Sequence, residues 1–190
     1  MKGTVLPSGI ILPPEPERRP KPYGKRWSPT MGISALVAED GETILWQDSD
    51  WMPNALHDAG EQSMLQVYLK EQANPTKYLA LLNDATIAET DGTMAAVVES
   101  KAPASGGYDR QAVLAADWTD DGLQAGDYRF SAAEKSFGPF TTAAATVTHQ
   151  ALTTTLTSTA GLLLLTLALS ATTTVAVSQS LKIILRWSQS

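Results

Sequence analysis

Short segments with the residue pattern of β-strands recur at intervals of roughly ten residues through the second half of the chain. They lie at residues 77–82, 111–115, 127–132, 143–152, 161–169 and 181–187. The last segment alternates: one face of the strand carries Leu181, Ile183, Leu185 and Trp187, and the other carries Lys182, Ile184 and Arg186. Gly, Asp and Ser turns between such segments are typical of an antiparallel jelly-roll-like β-sandwich. We therefore predict a mainly β fold.

One short helix is expected ahead of these strands, from about residue 56 to residue 72. Leu65, Tyr68 and Leu69 have the i, i+3, i+4 spacing of one helix face, and Asn74-Pro75 ends the pattern. Residues 85–105 have turn residues at both ends and predict an irregular crossover.

The most apolar stretch of the chain is residues 160–169. It is half as long as the ~20 residues that a membrane-spanning helix needs. We therefore predict a strand that is buried on both faces, and no contact with a membrane. Because the start of the chain has no apolar run ahead of its prolines, we also expect no signal peptide.

Prolines and basic residues are concentrated at the N-terminus. Seven of the eleven prolines lie at or before position 29. Residues 1–27 carry six basic and two acidic side chains, a net charge of +4, whereas the rest carries eight basic and eighteen acidic, a net of −10. Since proline lacks an amide donor and keeps its neighbour extended, residues 12–22 cannot form a helix or a central strand. We predict an extended proline-rich N-terminal arm at residues 1–30 and a β-sandwich domain at residues 31–190.

Two interpretations of this arm stay open: a disordered, solvated tail, or a segment that lies across a neighbouring subunit. Its apolar content is higher than a plain linker requires, which favours the second. The predicted contact residues are Ile10, Ile11, Leu12, Arg18, Arg19, Lys21, Tyr23, Lys25, Arg26 and Trp27.

The composition excludes several kinds of site. The chain has no cysteine, so disulfides, thiolate metal sites and thiol nucleophiles are ruled out. Only two histidines are present, His57 and His149, far apart in the sequence, which excludes a multi-histidine metal site within one chain. The formal net charge of −6 argues against binding to nucleic acid.

Few residues suggest catalysis. His57-Asp58 lies at the start of the predicted helix, where an acidic residue favours the helix dipole, so capping is preferred over a catalytic dyad. His149 has no acidic neighbour in the sequence and is interpreted as structural. Residues 106–108 lack the lysine and the helix of a phosphate-binding loop, and no Gly-x-Ser-x-Gly motif is present. We predict no catalytic residue, no resident metal and no cofactor.

One cation site stays open as an alternative. Asp117, Asp120 and Asp121 are close enough in sequence to suggest a Ca²⁺ loop, but their spacing does not match an EF-hand.

Four motifs follow one another in a recognisable order. The first is a short helix at residues 61–70 followed by a strand that ends in Asn83-Asp84. Gly107-Tyr-Asp-Arg-Gln-Ala-Val113 and the turn Phe137-Gly-Pro-Phe140 come next. An apolar strand with a Thr-rich continuation and a last strand after Ser180-Leu181 complete the order. This order resembles that of tailed-bacteriophage virion structural proteins. The resemblance covers about residues 61–187 and implies a jelly-roll-like β-sandwich built into a virion, with no known catalytic residues.

Together the resemblance and the arm suggest a non-enzymatic structural protein of a tailed-phage virion. We expect capsid decoration or cement, with the arm docking on the major capsid protein or on tail or neck subunits, and a homo-oligomer. An opposite charge on a neighbour would help such docking. The alternatives are a tail, neck or baseplate adaptor, a host-glycan-binding module with loops near Trp118 and Asp120, and a glycan hydrolase.

Overall fold

The computed structural model describes residues 4–5, 11–12, 31–40, 42–47, 52–70, 73–124, 127–142 and 145–189. In chain order the strands are β1 Thr4–Val5, β2 Ile11–Leu12, β3 Met31–Val37, β4 Ile44–Gln47, β5 Met52–Leu56, β6 Lys77–Leu82, β7 Gln111–Val113, β8 Trp118–Gln124, β9 Asp127–Ala132, β10 Lys135–Phe137, β11 Ala145–Thr153, β12 Leu163–Val175 and β13 Ser180–Gln189. Within those ranges the α-helix is α1, Asp58–Lys70, and 3₁₀ turns lie at Met94–Ala96 and Ala115–Asp117.

The strands of the body form an antiparallel path in the order β7-β6-β11-β12-β5-β3-β13-β9-β8, with β4 on β3 and β10 on β13. Strand β5 connects the two halves, because its end pairs with β12 and its start pairs with β3. The halves face each other: in the core, Gln150 Nε2 of β11 donates to Ser34 Oγ of β3 at 3.1 Å. The predicted mainly β, sandwich-like fold with one short helix is confirmed.

Several predicted strands are confirmed closely. Strands β6 and β9 have the predicted bounds, and β13 covers the predicted last strand. Leu163, Leu165 and Leu167 are buried, as are Leu164 and Thr166 between them. The apolar stretch is therefore a strand covered on both faces, as predicted. It continues to Val175, beyond the expected end at residue 169. None of the helical segments in the described ranges has the length and apolar character that crossing a membrane requires.

Five strands of the body were not predicted: β3, β4, β5, β8 and β10. The prediction of a loop near Trp118 and Asp120 was wrong, because both residues belong to β8, which pairs with β9. An irregularity in that pairing lies between Asp120 and Gly122, whose φ is 70°. The Asp-Asp-Gly sequence signals a turn, and here it forms a bulge within a strand.

Helix α1 lies against β12 through a glycine. A side chain on Gly60 would place its Cβ 2.1 Å from the Leu164 carbonyl oxygen and 2.9 Å from the carbonyl carbon. That oxygen also accepts a hydrogen bond from the His57 amide at 3.0 Å. Close approach of helix and strand therefore requires a residue without Cβ. The predicted apolar face of this helix consists of Leu65, Tyr68 and Leu69, whose side chains are not among those that the structure describes.

Replacing Gly60 with alanine is expected to destabilise the protein by about 1–3 kcal/mol, because the new methyl group meets backbone that cannot rotate away. The matched control is Gly92→Ala, where the nearest atoms are 3.9 Å from the added Cβ. Urea denaturation would measure both. Equal stabilities for the two variants would contradict the close packing.

The predicted arm is described only in part. Strands β1 and β2 pair antiparallel, with Thr4 opposite Leu12 and Val5 opposite Ile11. Residues 13–30, which contain most of the prolines and all five of the predicted basic contacts, lie outside the described residues.

Candidate functional site

The structure places few of the predicted arm contacts. Ile11 and Leu12 form β2, and the remainder lie outside the described residues, namely Ile10, Arg18, Arg19, Lys21, Tyr23, Lys25, Arg26 and Trp27. The arm joins the body at Met31, which pairs with Arg186 of β13. Arg186 in turn pairs with Ser131, and Ser131 with Thr119 of β8. Since neighbouring strands are about 4.8 Å apart, the arm enters the sheet about three strand spacings from the β8 edge.

The best-defined polar site in the body is a buried network around Glu99. Arg110 contacts this carboxylate through two atoms, with Nε at 3.0 Å from Oε1 and Nη2 at 2.8 Å from Oε2. The Tyr108 hydroxyl donates to Glu99 Oε1 at 2.6 Å and accepts from the Leu81 amide at 3.0 Å. The Arg110 side chain is 0% exposed and that of Glu99 is 14% exposed. This two-point contact is the strong geometry for an arginine–carboxylate pair.

Arg110 also holds a loop in place. Its Nη1 donates to the carbonyl oxygens of Thr155 at 2.9 Å and Ser158 at 3.1 Å. One side chain therefore joins the crossover, the start of β7 and the β11–β12 connection. Burial, followed by the charge of Glu99, raises the pKa of Tyr108 well above its ordinary value. The phenol stays protonated and serves as a donor, so this network is suited to fixing structure.

Tyr108 also joins two of the sequence motifs by packing. Its ring stacks with Phe137 and Phe140, with centroids 5.8 Å and 6.3 Å apart. The preceding Gly107 has a φ of 82°, and a Cβ there would lie 2.3 Å from the Pro139 carbonyl oxygen. The Phe140 amide donates to the Gln179 carbonyl at 3.0 Å, just before β13. The motifs of the resemblance thus meet in one region of the core.

Arg110→Ala is expected to cost roughly 3–5 kcal/mol, because it leaves the largely buried Glu99 carboxylate without its cation. The loss of stability in Arg110→Lys should lie between that of Arg110→Ala and zero, since lysine keeps the charge and loses the planar two-point contact. The control is Gln111→Ala, whose half-buried amide donates only to the Asp109 carbonyl. Chemical denaturation measures all three variants, and an Arg110→Ala protein as stable as the control would contradict this role.

The Asn83-Asp84 turn is held to β11. The Asp84 amide donates to Thr148 Oγ1 at 2.9 Å, and that hydroxyl donates to the Asp84 carbonyl at 2.7 Å. The Asp84 carboxylate accepts from the amides of Thr86 and Val98, which lowers its pKa. His149 next along β11 interacts electrostatically with Asp84. No acidic residue lies near His149 in the sequence, but the fold places Asp84 beside it.

Stability is expected to fall as the pH drops below 6.5, in part through His149. Burial lowers the pKa of His149 below its ordinary 6.5, and Asp84 opposes that shift only partly. The unfolded chain therefore binds a proton that the folded chain does not, between pH 6.5 and the folded pKa. In thermal unfolding between pH 8 and pH 5, His149→Gln should lose less stability than the natural protein. If the stability of both proteins depends on pH in the same way, His149 does not contribute to the pH dependence.

His57 is a buried residue of the core. Its Nδ1 donates to the Glu89 carbonyl, and its Nε2 lies 3.1 Å from Thr166 Oγ1. Asp58 is the first residue of α1, at the position predicted for a capping acid. Since both ring nitrogens have partners other than Asp58, the arrangement is structural.

The aspartates suggested as a cation site have separate partners. Asp117 forms an ion pair with Lys135 at 2.7 Å and accepts from the Leu114 amide, and both contacts lower its pKa. Asp120 accepts from the Gly122 amide, and Asp121 accepts from the Ser131 hydroxyl. Across the described part of the chain, no three His, Cys, Asp or Glu side chains come together as metal ligands would.

Apolar side chains are exposed at the β8 edge. Leu123 is 68% exposed and Phe130 is 38% exposed. Asp120 lies opposite Phe130, which in turn lies opposite Trp187 of β13. Side chains directly opposite each other in antiparallel strands share a face, so an acid and two aromatic residues form a row across this end of the sheet.

Sequence reasoning missed the Glu99–Arg110 pair. Glu99 lies in an irregular segment, so no periodicity marks it. The available signal was Arg110 itself, an arginine at the start of a strand-forming motif and two residues after a tyrosine.

Comparison with known proteins gives one family. No curated protein matches the chain. A family described as podophage GP4 fiber I protein gp80 matches residues 55–186, which include α1, the Glu99–Tyr108–Arg110 network and most of β13. The matched region contains every motif on which the resemblance to phage virion proteins rests. The chain belongs to this fibre-protein family and is a structural component of a phage virion.

Proposed function

We propose that this protein is a non-enzymatic structural subunit that docks on neighbouring virion proteins through its N-terminal arm. The observation that carries the proposal is the division of the chain. The family match begins at residue 55, whereas the basic, proline-rich residues lie before residue 30. A segment of net charge +4 ahead of a body of net −10 is suited to an acidic neighbour. The body supplies the fold shared with the family, and the arm supplies the attachment.

The fibre description of the family favours the tail or neck as the place of docking. Tail or neck subunits would then be the partners of the arm. Capsid decoration, with the major capsid protein as partner, is the competing location. The jelly-roll-like arrangement of strands expected from the sequence would fit a decoration protein on the capsid.

The row of Asp120, Phe130 and Trp187 supports a second candidate function, binding of a host glycan. Aromatic rings pack against the apolar faces of sugars, and carboxylates accept hydrogen bonds from hydroxyl groups. In that case the residues near Trp118 and Asp120 act from strand β8, not from the loop expected from the sequence.

Labelling intact particles tests the location. An antibody against the body, detected with gold in electron micrographs, is expected to mark the tail region of each particle. Labelling spread over the head would instead support capsid decoration, and particles without label would contradict a structural role. A glycan array with the natural protein and an Asp120→Ala variant tests the second candidate. A turnover assay on any glycan that binds tests whether the protein is an enzyme.

A further inference from the structure

Three apolar side chains are buried on the side of the sheet that faces away from the main core. They are Ala35, Val37 and Ile184, with exposed fractions of 0%, 1% and 6%. Leu36 and Ile183, which alternate with them along β3 and β13, belong to the main core. The three themselves belong neither to that core nor to the second, smaller apolar cluster of the body. We call the surface that they form the outer face.

The outer face is made by two paired strands. In the register of β3 with β13, Ala35 lies opposite Lys182, and Val37 lies opposite Ser180. Among the described elements, the extensive contacts of β13 are with β3, β9 and β10, its neighbours in the sheet, and helix α1 lies against β12. Neighbours in a sheet flank a side chain, but the tip of a valine or isoleucine is covered only by chain that packs above the sheet. The burial of Val37 and Ile184 therefore requires a covering segment.

The covering segment belongs to the same chain, because the side chains of the outer face are buried in a single copy. The N-terminal arm leads directly into Met31, the first residue of β3. From Met31 to Val37 this strand is about 20 Å long, at ~3.3 Å per residue. Residues 23–30 of the arm span about 25 Å as a polyproline-like chain, at ~3.1 Å per residue. This last part of the arm is therefore long enough to lie along the whole of β3.

Residues 23–30 also have the composition that such a segment needs. Tyr23 and Trp27 provide two large aromatic surfaces. Proline favours the second position of a turn, so Ser28-Pro29 just before β3 suits the reversal that would bring the arm back along the strand. A polyproline-like chain has no internal hydrogen bonds, so it can lie on a surface of side chains without a strand partner.

Cationic side chains lie beside the outer face on β13. Lys182 lies 3.3 Å from Glu134, and Arg186 interacts electrostatically with Asp121 and Arg129. The carbon stems of lysine and arginine pack on apolar surface, and their charged ends are attracted to aromatic rings. This surrounding suits the aromatic residues of the arm better than its basic ones, which can point to water.

We propose that residues 23–30 of the arm lie on the outer face of their own chain in the free protein, with Tyr23 and Trp27 packed over β3 and β13. The inference goes beyond the proposed function, which concerns what the arm binds in the particle. On assembly the two aromatic residues would leave the outer face and pack against the neighbouring protein. Residues 48–51, which connect β4 to β5 and include Trp51, are the competing cover.

Limited digestion of the natural full-length protein with trypsin tests this contact. Trypsin cleaves after lysine and arginine but not before proline, so the bonds after Arg19 and Lys21 are resistant. The bond after Arg18 lies outside the proposed contact, and the bond after Lys25 lies within it. Relative to a free peptide of residues 13–30, cleavage after Lys25 should be slowed at least about tenfold, a ratio that burial of one large side chain can supply. Cleavage after Arg18 should be close to the peptide rate. Cleavage after Lys25 at the peptide rate would overturn the proposal.

Point variants identify the segment that covers the outer face. Trp27→Ala and Ile184→Ala should each bring cleavage after Lys25 close to the peptide rate, because each removes one side of the contact. The matched control is Trp51→Ala in residues 48–51, which should leave the protection unchanged. Circular dichroism confirms that each variant is folded. Protection that survives both Trp27→Ala and Ile184→Ala, or that is lost only in Trp51→Ala, would overturn the proposal.

Dilution distinguishes the chain's own arm from the arm of a second copy. A contact within one chain does not depend on protein concentration, so the protection of the bond after Lys25 should be the same over an about hundredfold dilution. Protection that falls on dilution would place the arm on another copy and would overturn the proposal. All of these measurements use protein in solution, so failure of the protein to enter particles would not affect them.

Discussion

A chain that ends at Ser180 is expected to remain unfolded, because the missing segment is almost all of β13. This strand pairs with β3 through seven residues and with β9 and β10 on its other side. Leu181, Ile183 and Leu185 are buried in the main core. Their removal would expose the edges of three strands at once, a state that favours aggregation. Far-ultraviolet circular dichroism and protease resistance would detect the loss, and a truncated chain that melts like the full one would show that β13 is peripheral.

Point variants separate the loss of packing from the loss of pairing. Ile183→Ala should cost about 2–5 kcal/mol, because it leaves a cavity at a fully buried position. Val177→Ala is the control: Val177 is 52% exposed in the turn between β12 and β13, so its removal should change stability by less than about 0.5 kcal/mol. If the two variants unfold at the same denaturant concentration, the assigned burial of β13 is contradicted.

The expected faces of this strand are only partly confirmed. Its alternating sequence predicts that Lys182 is solvated or paired at a subunit contact, whereas Lys182 lies 3.3 Å from Glu134 of the same chain. Ile184, on the same face as Lys182, is buried. The outer face of β13 is thus covered in places, which alternation alone does not reveal.

Local pattern predicted those strands whose environment matches their sequence. Strand β6 is apolar and is followed by the turn residues Asn83-Asp84, so its bounds could be predicted from the sequence. Strand β3 was missed because Ser34, Ala35, Leu36 and Val37 are all buried, and a strand covered on both faces shows no alternation. Strand β9 alternates polar and aromatic residues, which predicts an exposed Arg129 and a buried Phe130, but Arg129 is buried and Phe130 is 38% exposed.

The polar network could not be predicted for a different reason. Glu99 and Arg110 are eleven positions apart, outside any helix or strand period, and their contact depends on how the crossover folds. The same holds for Asp84 and His149, which only the pairing of β6 with β11 brings together. Contacts between distant segments depend on topology, and a single sequence carries little information about them.

Deleting residues 1–27 is expected to abolish incorporation into particles while the body still folds. Charge alone would give weak attachment, since an exposed ion pair contributes only ~0.2–1 kcal/mol. The apolar residues Ile10, Tyr23 and Trp27 should contribute more, at roughly 1.5–3 kcal/mol for each large side chain that becomes fully buried. The family match begins at residue 55, which is consistent with a body that does not need the arm.

Replacing only the basic residues should have a smaller effect. The five are Arg18, Arg19, Lys21, Lys25 and Arg26. Their replacement by alanine is expected to weaken incorporation and to flatten its dependence on salt, because screened charge attraction is removed and apolar contacts remain. An unchanged salt dependence would contradict a contribution from these charges.

The copy number of the arm-deleted protein in purified particles tests the central claim most directly. Particles are grown with either the full chain or the chain lacking residues 1–27, and the protein is quantified against the major capsid protein. Circular dichroism of the purified variant confirms that the body is folded. The account predicts that the full chain is present at its normal ratio and that the deleted chain is absent. Arm-deleted protein at full stoichiometry would contradict it and would assign the attachment to the β-sandwich.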